Sequence, residues 1–199
     1  MTSSASDQKH FISASELHAI SVKLAEKIGQ SGFKPTFLIA LWRGGCYIGT
    51  VVQEFLQYVH KIKIDHVAVR THSRDSNGLP LPEVVVHAIG HALSVLTPDD
   101  NLLIVDDVVD SGRSLVALLK RLHTELGDRM PREVKVAVPY YKPKRNRTTL
   151  VPDFFVESTD AWLVFPHELE ELTDAEIEEH YPDVYEAAQR IRALTAGKE

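Results

Sequence analysis

Three aspartates close an apolar run in "LLIVDDVVDSGRSL", residues 102 to 115. Asp106 and Asp107 follow the run directly, Asp110 stands three residues further on, and Ser111-Gly112-Arg113-Ser114 leads into a stretch with helical spacing. Carboxylates repel anions, whereas a turn that opens a helix attracts them, because the helix N-terminus offers unpaired amides and a partial positive charge. Gly112 admits a close approach of the backbone, Ser111 and Ser114 carry hydroxyl donors, and Arg113 adds charge. That set suits a phosphate. Adjacent carboxylates grip neighbouring hydroxyls, as on a ribose, or anchor a divalent metal. A sugar phosphate needs both kinds of group, acceptors at one end and donors at the other. The plain alternative is an ordinary helix cap with Asp110 or Ser111 as N-cap. The pattern G-x-x-x-x-G-K-[ST] is absent, so the turn is not a P-loop.

Two further stretches carry chemistry. In "LWRGG" (41–45) an apolar run ends in Arg43, Gly44 and Gly45, a source of amides and a guanidinium, though also a plain glycine-rich helix start. Lys142 in "PYYKP" follows an apolar run, and "TDAWLVFPHE" (159–168) carries Trp162 and Leu163. Lysine only donates hydrogen bonds. It suits a ring oxygen and rejects an exocyclic amine, which would leave a buried ammonium unpaired. The plain readings are an exposed loop lysine and a core tryptophan. "KPKRNR" (142–147) reads as a solvated hairpin.

The stretch 102–115 resembles the signature of the type I phosphoribosyltransferases: an apolar strand, two acidic residues, two apolar residues, then D-[ST]-G-x-[ST]. The resemblance implies binding of 5-phosphoribosyl-1-pyrophosphate (PRPP) with Mg²⁺ and transfer of its ribose phosphate to a nitrogen base. It puts Asp106 and Asp107 on the ribose hydroxyls and the metal. Asp110, Ser111, Gly112, Arg113 and Ser114 take the 5′-phosphate, and Asp110 also lies near purine N7 as general base or electrostatic support. "LWRGG" is similar to the family's pyrophosphate loop, which implies a cis peptide at Trp42–Arg43 and roles for Arg43, Gly44, Gly45 and Arg70. The hood resembles that of the 6-oxopurine group, acting on hypoxanthine, guanine or xanthine. There Lys142 reads O6, Trp162 stacks on the ring, and the backbone of Leu163 lines the 2-position edge. Glu168 is implied near a second metal. The stretch 71–83, with Arg70, His72, Ser73 and Arg74, is implied to close over the site. "FPHE" departs from the family in placing His167 where a tryptophan is usual, and "RTHSRD" replaces a lysine and a Ser-Tyr pair. Two alternatives stand beside the oxopurine enzyme: a non-catalytic PRPP sensor, and a transferase for adenine, orotate or uracil. Family members usually form dimers or tetramers, and Tyr47, Phe55 and Tyr58 are interface or core candidates.

Composition agrees with an enzyme of this kind. The 199 residues suit one domain with a small addition. Apolar residues make up 44% and charged residues 25%, the balance of an ordinary globular protein. A net charge of -6 argues against sequence-independent nucleic-acid binding. Cys46 is the single cysteine, so no intrachain disulfide forms and a reducing compartment is expected. It reads as a small packing residue. No run of about eighteen apolar residues spans a membrane, and the polar start is not a secretory signal. The expected location is the cytoplasm.

These residues must be positioned by an alternation of strands and helices. Ser13 and Glu16 have capping-box spacing, ahead of a helix patterned by Leu17, Ile20, Leu24 and Ile28. Strands are expected at 36–42, 63–70, 84–89, 102–108, 134–141, 153–159 and 162–165, and helices at 44–59 and 112–126. A long loop is expected at 71–83. Pro182 restarts an acidic helical tail at its first turn. The pattern implies an α/β fold with a mostly parallel central sheet flanked by helices. The family resemblance adds a small hood for the base. The expected divisions are a flexible tail (1–10), the transferase domain (11–170, its hood formed by the N-terminal segment and 142–170) and acidic helices (171–199). In such sheets ligands sit beyond the carboxyl ends of strands.

Overall fold

The computed structural model describes residues 9–74 and 80–196. In chain order the elements are β1 (Lys9–Phe11), α1 (Ala14–Gln30), β2 (Phe37–Trp42), α2 (Gly44–His60), β3 (Asp65–Arg74), β4 (Pro80–His87), α3 (Gly90–Val95), β5 (Asn101–Val105), β6 (Val108–Val109), α4 (Arg113–Leu126), β7 (Glu133–Tyr141), β8 (Phe154–Ser158), β9 (Trp162–Val164), α5 (Asp174–His180) and α6 (Pro182–Ala196). They fall into two compact units, one of residues 18–160 and one of residues 1–17 with 161–199.

The larger unit is built on a seven-stranded sheet ordered β4-β3-β2-β5-β7-β6, with β8 also paired to β7. Every pairing is parallel except β3 with β4. The continuous apolar sequences of β2 and β5 follow from their central position, where both faces are covered; Leu38, Ile39, Leu103 and Ile104 are buried. α4 lays Leu115, Leu118 and Leu122 into the same core as Ile39, Leu41, Ile104 and Val138. From β2 the chain builds outward to β3 on one side and reaches β5 on the other. The gap between the carboxyl ends of β2 and β5 is therefore the topological switch point of the sheet, where open α/β folds hold ligands.

Two expectations for this unit need correction. Most of 71–83 is strand rather than loop: β3 continues to Arg74 and β4 begins at Pro80, leaving 75–79 outside the described residues. Pro80 and Pro82 are tolerated because β4 is an edge strand, where a missing amide breaks no ladder. A short helix, α3, also precedes β5 where none was expected.

The smaller unit joins the N-terminal strand to the acidic helices. β1 pairs in parallel with β9, with Lys9 opposite Trp162 and His10 opposite Leu163. Tyr181 is buried, and its hydroxyl lies 3.4 Å from the carbonyls of both Ile12 and Val164. The capping box is formed: Ser13 N–H donates to Glu16 Oε2 at 2.8 Å, and Glu16 N–H to Ser13 Oγ at 3.2 Å. A second box, Thr173 with Glu176, starts α5. The Lys9 ammonium and Thr173 hold the Glu176 carboxyl down at about 2. Pro182 opens α6, as its fixed φ allows. Among the described residues no helix is long and apolar enough to cross a membrane.

Candidate active site

The parallel register of β2 and β5 pairs Ala40 with Val105. The next residues of the two strands, Leu41-Trp42-Arg43 and Asp106-Asp107, therefore emerge side by side. The Trp42–Arg43 peptide is cis. Arg70 is the β3 partner of Trp42, so its exposed side chain belongs to the same edge. Nothing in the local sequence marks Arg70 for this place; the β2–β3 register puts it there.

Glycine is required where α2 begins. A Cβ on Gly44 would fall on the carboxylate of Asp107, and one on Gly45 would meet the carbonyl oxygen of Val105 and the Cα of Asp106. The two loops are thus packed backbone to carboxylate. No side chain caps α2, and none caps α4. The plain reading of Asp110 or Ser111 as N-cap does not hold: the N-cap is Gly112, with φ +74°. A Cβ there would also crowd Thr148 Oγ1 at 2.5 Å and Asn146 Oδ1 at 2.8 Å. Two helix N-termini without side-chain caps, each charged partly positive, thus flank one carboxylate pair.

Asp106 is held in an unfavourable state. Burial, and then the charge of Asp107, push its carboxyl well above the usual carboxylate range, although its side chain is only partly covered. Its Oδ1 accepts from Asp107 N–H at 3.0 Å. Because the folded pKa is raised, the stabilising contribution of this group is full below about pH 3.8 and is lost as pH rises through the folded value. Asp106→Asn keeps the acceptor and removes the charge. It is expected to raise Tm by a few degrees at neutral pH and not at pH 3, measured by calorimetry. Cys46, between these elements, has its thiol pushed up by burial and by Asp106, in keeping with a packing role.

Asp110 and Lys142 meet. Lys142, just past the end of β7, is only 4% exposed, and its Nζ lies 3.6 Å from Asp110 Oδ2. Its backbone N–H donates to Val109 O at 2.9 Å, fixing β7 against the aspartate turn. The plain reading of Lys142 as an exposed loop residue is therefore overturned. Arg145, which the sequence reading left in a solvated hairpin, donates from Nε to Asp110 Oδ1 at 2.9 Å. Its distance of 35 residues along the chain leaves no local signal for this pairing. Ser111, Arg113 and Ser114 are partly buried around Gly112.

Trp162, Leu163 and Glu168 belong to the smaller unit. Trp162 is 47% exposed, with Lys9 Nζ 5.6 Å from its ring centre, so it is not plain core. Leu163 is buried. Glu168 Oε2 accepts from Phe165 N–H at 3.2 Å, and His167 stacks on Phe165. Among the described residues no three His, Cys, Asp or Glu side chains gather into a metal cage. The pair Asp106 and Asp107 fits Mg²⁺ all the same, since that ion takes one or two carboxylates and fills its octahedron with water and substrate phosphate oxygens.

The arrangement matches known proteins. The family model for the phosphoribosyl transferase domain covers residues 13–190, extending past residue 170, where the motif resemblance ends. Among solved structures, a purine phosphoribosyltransferase from Pyrococcus horikoshii Ot3 is 25% identical, with a TM-score of 0.61 over 83% of this chain and 97% of its own. A hypothetical protein from Neisseria gonorrhoeae with bound ppGpp is 28% identical, with a TM-score of 0.66 over 91% of this chain and 97% of its own. The xanthine-guanine-hypoxanthine phosphoribosyltransferase of Helicobacter pylori, 21% identical over 87% of this chain and 100% of its own, shares the fold with a TM-score of 0.60. No curated protein matches the chain. With its mostly parallel sheet, its paired loops at the switch point and a family match over most of its length, the chain belongs to the phosphoribosyltransferase family.

Proposed function

We propose that the protein transfers 5-phosphoribosyl from PRPP to N9 of a 6-oxopurine, hypoxanthine, guanine or xanthine, releasing pyrophosphate and the nucleoside 5′-monophosphate. The observation that carries this reading is the buried Lys142 set against Asp110 one turn from the phosphate-binding helix start. A donor-only cation beside a carboxylate complements the O6 and N7–H of an oxopurine and mismatches the exocyclic amine of adenine.

In this reading the N-terminus of α4, with Ser111, Gly112, Arg113 and Ser114, takes the 5′-phosphate. Asp106 and Asp107 accept from the ribose hydroxyls or hold the metal, with Glu168 a ligand for a second ion. Mg²⁺, when bound, supplies charge neutralisation on the departing pyrophosphate oxygens. Arg43, the amides at Gly44, and Arg70 hold that pyrophosphate through the oxocarbenium-like transition state. The C1–O bond to pyrophosphate breaks as the N9–C1 bond forms, and Asp110 accepts the N7 proton or supports the charge that develops there. Trp162 stacks on the purine, and the backbone of Leu163 meets its 2-position edge. The stretch 71–83, of which 75–79 lie outside the described residues, closes over the site and excludes water. The working protein is a cytoplasmic homo-oligomer, with the exposed Tyr47 and Tyr58 as interface candidates.

Incubation with PRPP, Mg²⁺ and an oxopurine is the direct test, with product identified by mass and by the carbon-13 shift of the N9-linked C1. A 6-oxopurine monophosphate is expected. Saturable PRPP binding without any product would favour a non-catalytic sensor instead. A second reading concerns inhibition. The gonococcal neighbour carries ppGpp, a guanine nucleotide with two diphosphates, and both phosphate-binding loops here could receive such groups. Competitive inhibition against PRPP is the expected result, and non-competitive inhibition would exclude this site.

A further inference from the structure

The basic run Lys142-Pro143-Lys144-Arg145-Asn146-Arg147 holds four cations in six residues, and the assigned roles use only Lys142. In the fold, three of the four are engaged by carboxylates. Lys142 Nζ is 3.6 Å from Asp110 Oδ2, Lys144 Nζ is 2.7 Å from Asp160 Oδ2, and Arg145 Nε donates to Asp110 Oδ1 at 2.9 Å. Asp110 therefore carries one cation on each oxygen. The turn itself is pinned by its backbone. Arg145 N–H and Asn146 N–H both donate to Lys142 O at 3.1 Å, and Arg147 N–H donates to Ser111 O at 3.1 Å. Asn146 closes the turn from within: its Nδ2 donates to Leu150 O at 2.6 Å and its Oδ1 accepts from Thr148 N–H at 2.9 Å. Arg145 is thus presented to Asp110 from a segment anchored on the phosphate turn.

We propose that Arg145 is a positioning residue that fixes Asp110 and releases Lys142 to the base. This rests on the roles given above to Asp110 and Lys142. An ammonium has three N–H donors, but one held by the charge of Asp110 alone is drawn toward the carboxylate and away from a purine oxygen. When an oxopurine enters, Lys142 turns toward O6, and Asp110 must keep its orientation and a countercharge while one oxygen faces the base nitrogen. Arg145 supplies both through Oδ1 and leaves Oδ2 for the purine. Without it, Lys142 is the only cation left on the carboxylate among the described residues, and it is retained there. The Arg145 side chain is 57% exposed. Ion pairs of that kind add little to folding stability, so removing it leaves the fold intact and isolates the catalytic effect.

The test compares Arg145→Ala, Arg145→Lys and Lys144→Ala with the wild type in steady-state kinetics. For Arg145→Ala, kcat/KM for the oxopurine is expected to fall about 10- to 100-fold. KM for PRPP should stay within about twofold, and Tm should be unchanged. Arg145→Lys should recover part of the loss, because an ammonium reaches the same oxygen, and Lys144→Ala should behave as wild type. Arg145→Ala kinetics equal to wild type would overturn the inference, and so would a joint rise of both KM values with a lowered Tm, the mark of a merely structural residue. A wild type without turnover removes the reading of the site and this inference with it. An active wild type with an indifferent Arg145→Ala removes this inference alone.

Discussion

Lys142→Met is expected to lower kcat/KM for a 6-oxopurine by about 100-fold or more, with KM for PRPP nearly unchanged. Methionine keeps the apolar stem that fills this buried position and deletes the ammonium. The base then loses a charge-assisted hydrogen bond at O6, an interaction stronger than one between neutral groups. Discrimination against adenine should narrow in the same variant, because in the proposed site an amine at the 6-position offers no acceptor to the Lys142 donor. The fold should survive, since Asp110 keeps Arg145 as a partner. Steady-state kinetics with oxopurine and adenine measure both effects. Unchanged oxopurine turnover would mean that Lys142 only neutralises Asp110 and does not touch the base.

Gly44→Ala and Gly45→Ala should differ in kind. The added methyl at Gly44 lands mainly on the carboxylate of Asp107, which must rotate, with a smaller give at the Asp107 Cβ 2.8 Å away. The fold is then kept, but a carboxylate proposed to hold ribose or metal is displaced, and such misplacement costs about 100-fold in rate. The methyl at Gly45 lands on the backbone of Val105 and Asp106, which cannot move aside alone. Overpacking of this kind costs about 1–3 kcal/mol, or roughly 2–4 °C of Tm for each kcal/mol in a chain of this size. Thermal melts and PRPP kinetics on both variants separate the cases. Equal stability for both would show that the α2 start is more pliable than its contacts imply.

The segment from Leu102 to Ser114 was legible because its chemistry is local. A continuous apolar strand, a carboxylate pair and a glycine-bearing turn occupy consecutive positions, so backbone direction alone brings them to one end of the sheet. Arg43, Gly44 and Gly45 were legible for the same reason. What the local chemistry does not reveal depends on register and long-range packing, Arg70 being named by the family resemblance alone. Arg70 joins the edge through its pairing with Trp42 across two strands. Arg145 reaches Asp110 because the turn after β7 folds back on the phosphate turn, a contact that the cluster's composition disguised as a solvated face. The β3–β4 hairpin was read as loop because Gly and two prolines usually end strands. Its place at the sheet edge removes that objection. α3 is six residues long and too short for periodicity to reveal.

The central claim is a PRPP-dependent transfer that selects an oxygen at the purine 6-position. Its most direct test is pyrophosphate release from PRPP and Mg²⁺ with hypoxanthine, guanine, xanthine and adenine offered separately. Release with one or more of the three oxopurines, and none above background with adenine, is the predicted result. Release with adenine alone, or with none of the four bases, would contradict it.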